Sequence, residues 1–292
     1  MNLAVKGLCL AAVGGLLAFL SRDTFDPGSL AGAKVLLTGA SKGIGEQMAY
    51  HYAKFGAEIA LTARREAALQ KVMKKCLELG ARKVFYVPAD MELHSDPERV
   101  VKFALEKLGG LDYLVLNHIG ESPYEAWSGD VEHTRWLMQV NFVSYVQLAS
   151  SALSALAESK GSIVVVSSIN GKVATPYTTS YSATKFALDG FFSSLRQELA
   201  MQGTDIAITL CILGLIDTDY AMSRIRGKVL MTPYPASEAA LAIVKGGTSR
   251  DREIHYPWQA IFISHARDWY PEFRDWIIRG FYNTTSTGGA HP

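Results

Sequence analysis

Apolar runs alternate with amphipathic stretches along most of this chain. Six runs, Lys34–Thr38, Glu58–Ala63, Val84–Pro88, Leu111–Asn117, Ser162–Ser168 and Ala207–Leu213, are rich in leucine or β-branched residues. They are apolar at successive positions rather than every second one, as strands covered on both faces are. Between them, residues 44–55, 65–79, 96–109, 132–158 and 180–202 carry helical spacing. Strands alternating with helices predict right-handed crossovers and an α/β doubly wound parallel sheet. No repeat, low-complexity stretch or linker divides the middle of the chain, so residues 34–255 are expected to form a single domain.

Both ends depart from this pattern. The run Gly7–Leu20 has 14 uninterrupted apolar or small residues, or 18 if counted from Leu3 across Lys6. A membrane span needs about 20, and a signal-peptide core has a similar look. Ala18-Phe19-Leu20 is a poor cleavage site. An uncleaved signal-anchor over 1–20 is therefore preferred to a cleaved signal or a core helix, with 21–33 as a polar linker. Residues 256–292 form an aromatic tail that holds Trp258, Trp269 and Trp276 among Arg267, Arg274 and Arg279. A helical flap on the core, a dimer contact and a membrane-surface patch all use this amphipathic chemistry. The sequon Asn283-Thr284-Thr285 agrees with passage through the secretory pathway and with a glycoprotein.

Composition narrows the function classes. A hydrophobic share of 49% excludes intrinsic disorder. With 29 basic against 28 acidic residues there is no electrostatic case for nucleic acid. Cys9, Cys76 and Cys211 cannot make a disulfide framework, and their spacing fits no zinc motif, so buried inert thiols and no metal are expected.

The chemistry is carried by two motifs. The segment Thr38–Gly45 follows the first strand and opens the first helix, with glycines at 39, 43 and 45. Gly39, Ser41, Lys42, Gly43, Ile44 and Gly45 are candidates to cradle a pyrophosphate on backbone amides and the positive end of a helix, in a Rossmann-type fold. An NAD site wants an acidic residue at the end of the second strand. This chain has Arg64 and Arg65 there, and Lys42 in the loop. Paired hydrogen bonds from arginine suit a 2′-phosphate, which points to NADP(H). In the second motif, Tyr181 and Lys185 lie four apart and share a helix face. An ammonium beside a phenol favours the phenolate, so Lys185 is expected to lower the Tyr181 pKa. Ser168, 13 residues upstream, ends a strand at the crevice side of the sheet, where its hydroxyl can hold a substrate oxygen. Asn141 is a polar residue within the long, mostly apolar helix 132–158.

With Asn117-His118-Ile119-Gly120, these motifs resemble the short-chain dehydrogenase/reductase family in its classical type, over roughly residues 30–255. Within the family, the chain is similar to the 11β-hydroxysteroid dehydrogenase branch over nearly its whole length. The resemblance implies Tyr181 as general acid/base, Lys185 on the nicotinamide ribose, Ser168 on the substrate oxygen and Asn141 holding a water of a proton relay. It implies Asp90 and Met91 at the adenine, and Asn117, His118 and Ile119 along the cofactor. Ile216 and Thr218 would meet the nicotinamide amide or phosphates, although Leu213 stands where the family most often has proline. Thr175, Tyr177 and Leu215 would lie at the substrate end. There the steroid branch has a tyrosine in place of Thr175, and here Tyr177 follows Pro176 instead. The implied activity is NADP(H)-dependent interconversion of a hydroxyl and a ketone on a steroid or similar lipophilic molecule. A retinol or xenobiotic carbonyl reductase is an alternative on the same scaffold, and a non-catalytic cofactor-binding interaction protein is one of another class. A homodimer is implied, either anchored in the endoplasmic reticulum membrane with a lumenal catalytic domain or secreted.

Overall fold

The computed structural model describes residues 25–225, 227–265 and 268–282. The expected signal-anchor at 1–20, Cys9 and the sequon at Asn283 lie outside the described residues. The sheet has seven strands, all parallel, in the order β3-β2-β1-β4-β5-β6-β9. They are β1 (Lys34–Thr38), β2 (Glu58–Ala63), β3 (Lys83–Pro88), β4 (Tyr113–Leu116), β5 (Ser162–Val166), β6 (Ala207–Leu213) and β9 (Glu253–Tyr256). A short pair, β7 (Ile216–Asp217) with β8 (Tyr234–Pro235), stands apart. The strand order reverses between β1 and β4, and a crevice opens at such a switch point.

Both faces of the sheet are apolar because both are covered. In β1, Val35 and Leu37 pack under α1 (Gly43–Lys54), α2 (Glu66–Glu78) and α8 (Ala236–Thr248), with Met48, Tyr52, Leu69, Val72 and Ile243 in that layer. Leu36 faces the opposite layer of α3 (Asp96–Leu108), α5 (Ser144–Ser159) and α6 (Thr179–Met201), among Val100, Leu148, Leu188 and Phe192. Alternating side chains therefore enter two cores, and the strand reads as one continuous apolar run. Cys76 and Cys211 are buried free thiols, and burial pushes Cys76 up to about 12.

The structure departs from the sequence expectations in three places. Helix α8 and strand β9 are additional, so the sheet gains a seventh strand and runs to Tyr256. The single helix expected over 132–158 is α4 (Val131–Met138) joined to α5 through a π-turn, Gln139–Val143. The strands expected to reach Asn117 and Ser168 end at Leu116 and Val166, which leaves both polar residues in the crevice loops. In the tail, α9 (Ala260–His265) and α10 (Pro271–Gly280) lie over the mouth of the crevice. Their end is fastened by the antiparallel bridge Val229–Tyr282 and the Leu230 amide on the Phe281 carbonyl at 3.0 Å. Helices α9 and α10 thus cover the crevice mouth, while Trp258, Trp269 and Trp276 are exposed.

Candidate active site

The glycine loop is a bare backbone cradle. A Cβ at Gly45 would sit 2.2 Å from the Gly39 carbonyl oxygen, and one at Gly39 would sit 2.8 Å from His118 Cα. Gly39 also has φ +64°, which side chains disfavour. The Asn117 amide donates to the carbonyls of Thr38 and Gly39, both at 3.2 Å, and so fixes the loop against β4. Ser41, Lys42, Gly43 and Ile44 complete the turn into α1, whose N-cap Lys42 makes no side-chain capping bond. These residues fit a nicotinamide dinucleotide, whose pyrophosphate needs close backbone approach at a helix start. Arg64 and Arg65 are exposed just past β2. Asp90 lies past β3, with its amide on the Asp96 carboxylate at 2.7 Å, whereas the Met91 side chain is buried in the core.

His118 does not line the crevice cavity; its ring is a tie behind the wall. Nδ1 lies 2.9 Å from Thr38 Oγ1, and Nε2 lies 3.1 Å from the Val140 carbonyl and 2.8 Å from Ser144 Oγ. A carbonyl only accepts, so Nε2 carries the proton. Burial and then the Lys185 charge push the imidazole down to about 3, which keeps it neutral. His118 therefore couples β1 to the π-turn. That turn carries Asn141, which is fully buried and also absent from the cavity wall. Its Oδ1 accepts from the Gly120 amide at 2.6 Å, and its Nδ2 donates to Thr184 Oγ1 at 3.3 Å. Its side chain is thus committed to holding the β4 loop on α6.

Tyr181 and Lys185 do share a face of α6, with the ammonium nitrogen 5.6 Å from the Tyr181 ring centre. The Lys185 nitrogen donates to the Val166 carbonyl at 2.9 Å and is 1% exposed. The Tyr181 phenol lies beside Ser168, whose hydroxyl accepts from the Asn170 amide at 3.2 Å. The expected lowering of the phenol is overturned among the protein's own groups. Burial pushes Tyr181 up to about 12 and outweighs the lowering influence of the Ser168 hydroxyl. Burial also pushes Lys185 down to about 7, so the lysine is only about half charged near neutral pH and biases the phenol weakly.

A cavity of about 740 Å³ opens above this pair. Ile44, Asn117, Ile119, Ile216 and Thr218 line its cofactor end, and Thr175, Leu215, Phe262, Phe273 and Ile277 its apolar end. Tyr177 lies behind the wall instead, with φ +64° and its ring 5.8 Å from that of Tyr124 and 5.9 Å from that of Tyr282. The loop after Ser168 is anchored by Lys172, which bonds Asp189 at 2.7 Å and Glu253 at 2.6 Å. Lys172, Tyr124 and Tyr220 escape sequence reasoning because each acts through a partner distant in the chain.

A family model described as short chain dehydrogenase matches residues 33–228. The chain belongs to the short-chain dehydrogenase/reductase family. It is an oxidoreductase of that family, built for a nicotinamide cofactor and a small substrate. Its relatives include hydroxysteroid 11-beta-dehydrogenase 1-like proteins. The one from Gallus gallus is 70% identical over 95% of this chain and 96% of its own length. That from Homo sapiens is 58% identical over 79% and 74%. Among solved structures, a short chain dehydrogenase/reductase from Burkholderia phymatum in complex with NAD has a TM-score of 0.74 at 19% identity, covering 84% of this chain and 96% of that one. An alcohol dehydrogenase from Thermococcus sibiricus complexed with 5-hydroxy-NADP has a TM-score of 0.66 at 24% identity, covering 76% and 94%. Both show the same fold.

Proposed function

We propose that this protein is an NADP(H)-dependent oxidoreductase that interconverts a hydroxyl and a ketone on a steroid or similarly lipophilic substrate. The observation that carries this reading is the juxtaposition of Tyr181, Ser168 and the buried Lys185 at the wall of a large, mostly apolar cavity. The bound dinucleotide supplies or accepts the hydride at its nicotinamide. Ser168 and Tyr181 hold the substrate oxygen between their hydroxyls. The raised phenol enters protonated, so Tyr181 acts first as a general acid toward a carbonyl oxygen that gains charge. Lys185, 5.6 Å from the Tyr181 ring centre, would hold the cofactor ribose. Asn141 acts by position, through Gly120 and Thr184.

Lys42 in the glycine loop and Arg64 just past β2 support NADP(H) over NAD(H), because an NAD site wants an acidic residue at the end of the second strand and arginine suits a 2′-phosphate. The names of the relatives support a steroid. Thr175 on the cavity wall, with Tyr177 withdrawn behind it, favours a second reading in which another lipophilic ketone, a retinoid or a xenobiotic, is the substrate. A homodimer and residence in the secretory pathway, anchored in the endoplasmic reticulum or secreted, belong to the same reading. The apolar run Gly7–Leu20 and the exposed aromatic flap support membrane contact. The test is cofactor-coupled turnover of a steroid, retinoid and carbonyl panel by the wild type and Tyr181→Phe. Turnover should fall at least about 100-fold in the variant, with NADPH binding retained. No turnover of any panel member with either cofactor would sink the reading.

A further inference from the structure

The segment after β7 folds back onto the glycine loop. A Cβ at Gly43 would meet the Thr218 methyl at 3.3 Å. The Thr218 hydroxyl accepts from the Ala221 amide at 3.2 Å and so starts α7 (Asp219–Ile225) at this spot. Tyr220, in the first turn, reaches across the crevice. Its ring lies 5.3 Å from the Lys42 ammonium and 4.3 Å from the Arg224 guanidinium. Its hydroxyl accepts from the Ser122 amide at 2.9 Å and faces the Gly120 carbonyl at 3.5 Å. Arg224 then donates to the Ser122 carbonyl at 2.6 Å and pairs with Glu121. One tyrosine thus joins three walls of the cavity: the glycine loop, the loop after β4, and α7. Burial holds the phenol up despite Ser122, Arg224 and Arg64, so it stays neutral and can both accept and donate.

We propose that Tyr220 is a latch across the cofactor cleft, and that its ring and hydroxyl must let go of Lys42 and the 120–122 loop each time a nicotinamide dinucleotide enters or leaves. The proposal rests on the dinucleotide reading above. Every contact of the latch is between protein groups and none requires the nucleotide. It therefore bars entry as well as exit, and this separates it from an ordinary binding contact. A contact to the nucleotide would slow release and tighten binding together. A latch slows both directions and leaves the equilibrium nearly unchanged.

The experiment is stopped-flow measurement of NADPH association and dissociation by fluorescence on the full chain, without substrate. Tyr220→Ala should accelerate both by about tenfold, equivalent to about 1.4 kcal/mol. That is the size expected of one cation–π contact plus one hydrogen bond. The dissociation constant should change by less than about threefold. Faster release with an equal loss of affinity would overturn the latch, and so would unchanged rates. If Tyr220→Ala does not fold, Tyr220→Phe and Arg224→Gln should each accelerate both directions by a smaller factor, and unchanged rates in both would overturn it. A wild type that binds neither NADPH nor NADH would overturn the dinucleotide reading itself, which is a different result from a variant that matches the wild type.

Discussion

Replacing Lys185 with methionine should stabilise the protein while it disables the site. The lysine is 1% exposed and burial holds it near about 7 instead of 10.5. The unfolded chain therefore binds this proton more firmly, and stability rises with pH between those values. The group costs the folded state on the order of 4 kcal/mol at about pH 7 and on the order of 2 kcal/mol at about pH 9. Methionine fills similar volume without charge, but leaves the Val166 carbonyl without the 2.9 Å hydrogen bond it accepts from Lys185. That loss takes back about 1 kcal/mol. Urea unfolding should show Lys185→Met more stable by about 3 kcal/mol near neutrality, shrinking to about 1 kcal/mol near pH 9. A less stable variant near neutrality, or a gain that does not shrink with pH, would refute the buried, low-pKa lysine.

Three further outcomes follow from named contacts. Arg64→Ala should weaken NADPH binding by about 10- to 100-fold, the value of charge-assisted hydrogen bonds to a phosphate. NADH binding should change little, and paired titrations check the difference. Lys172→Met leaves Asp189 and Glu253 facing each other, partly buried at 22% and 30% side-chain exposure. It should cost about 2 kcal/mol in urea unfolding and raise KM more than it lowers kcat, because it loosens the Ser168 loop. Gly45→Ala would press a methyl group into the Gly39 carbonyl. It should abolish NADPH binding by fluorescence titration and lower the unfolding midpoint, because the clash is with backbone that must shift.

The doubly buried strands were legible because burial on both faces writes an unbroken apolar run: β1, β2 and β6 begin and end where the runs do. Strand β9 was hidden. It has four residues, and two of them, Glu253 and His255, are polar, with Glu253 pairing to Lys172. Helix α8 was obscured by Gly246 and Gly247, which read as breakers. They are required because side chains there would collide with Ile254 and Val164, at 2.3 and 2.6 Å. The π-turn at Asn141 has no pattern of its own in an apolar helix. The spacing of Tyr181 and Lys185 was readable, but the depth of burial that raises the phenol and lowers the lysine was not. Tyr177 was placed at the substrate by its neighbour Pro176, whereas its left-handed backbone turns it behind the wall toward Tyr124 and Tyr282.

The most direct test is to follow nicotinamide absorbance while the purified full chain meets an 11-ketosteroid, its 11-hydroxy partner and other lipophilic ketones, with NADPH and NADH in parallel. NADPH-linked reduction of a steroid ketone, at least about tenfold preferred over NADH and lost in Tyr181→Phe, is the predicted result. Reduction that prefers NADH would contradict the roles given to Lys42 and Arg64. Failure to turn over any steroid in either direction would contradict the substrate class.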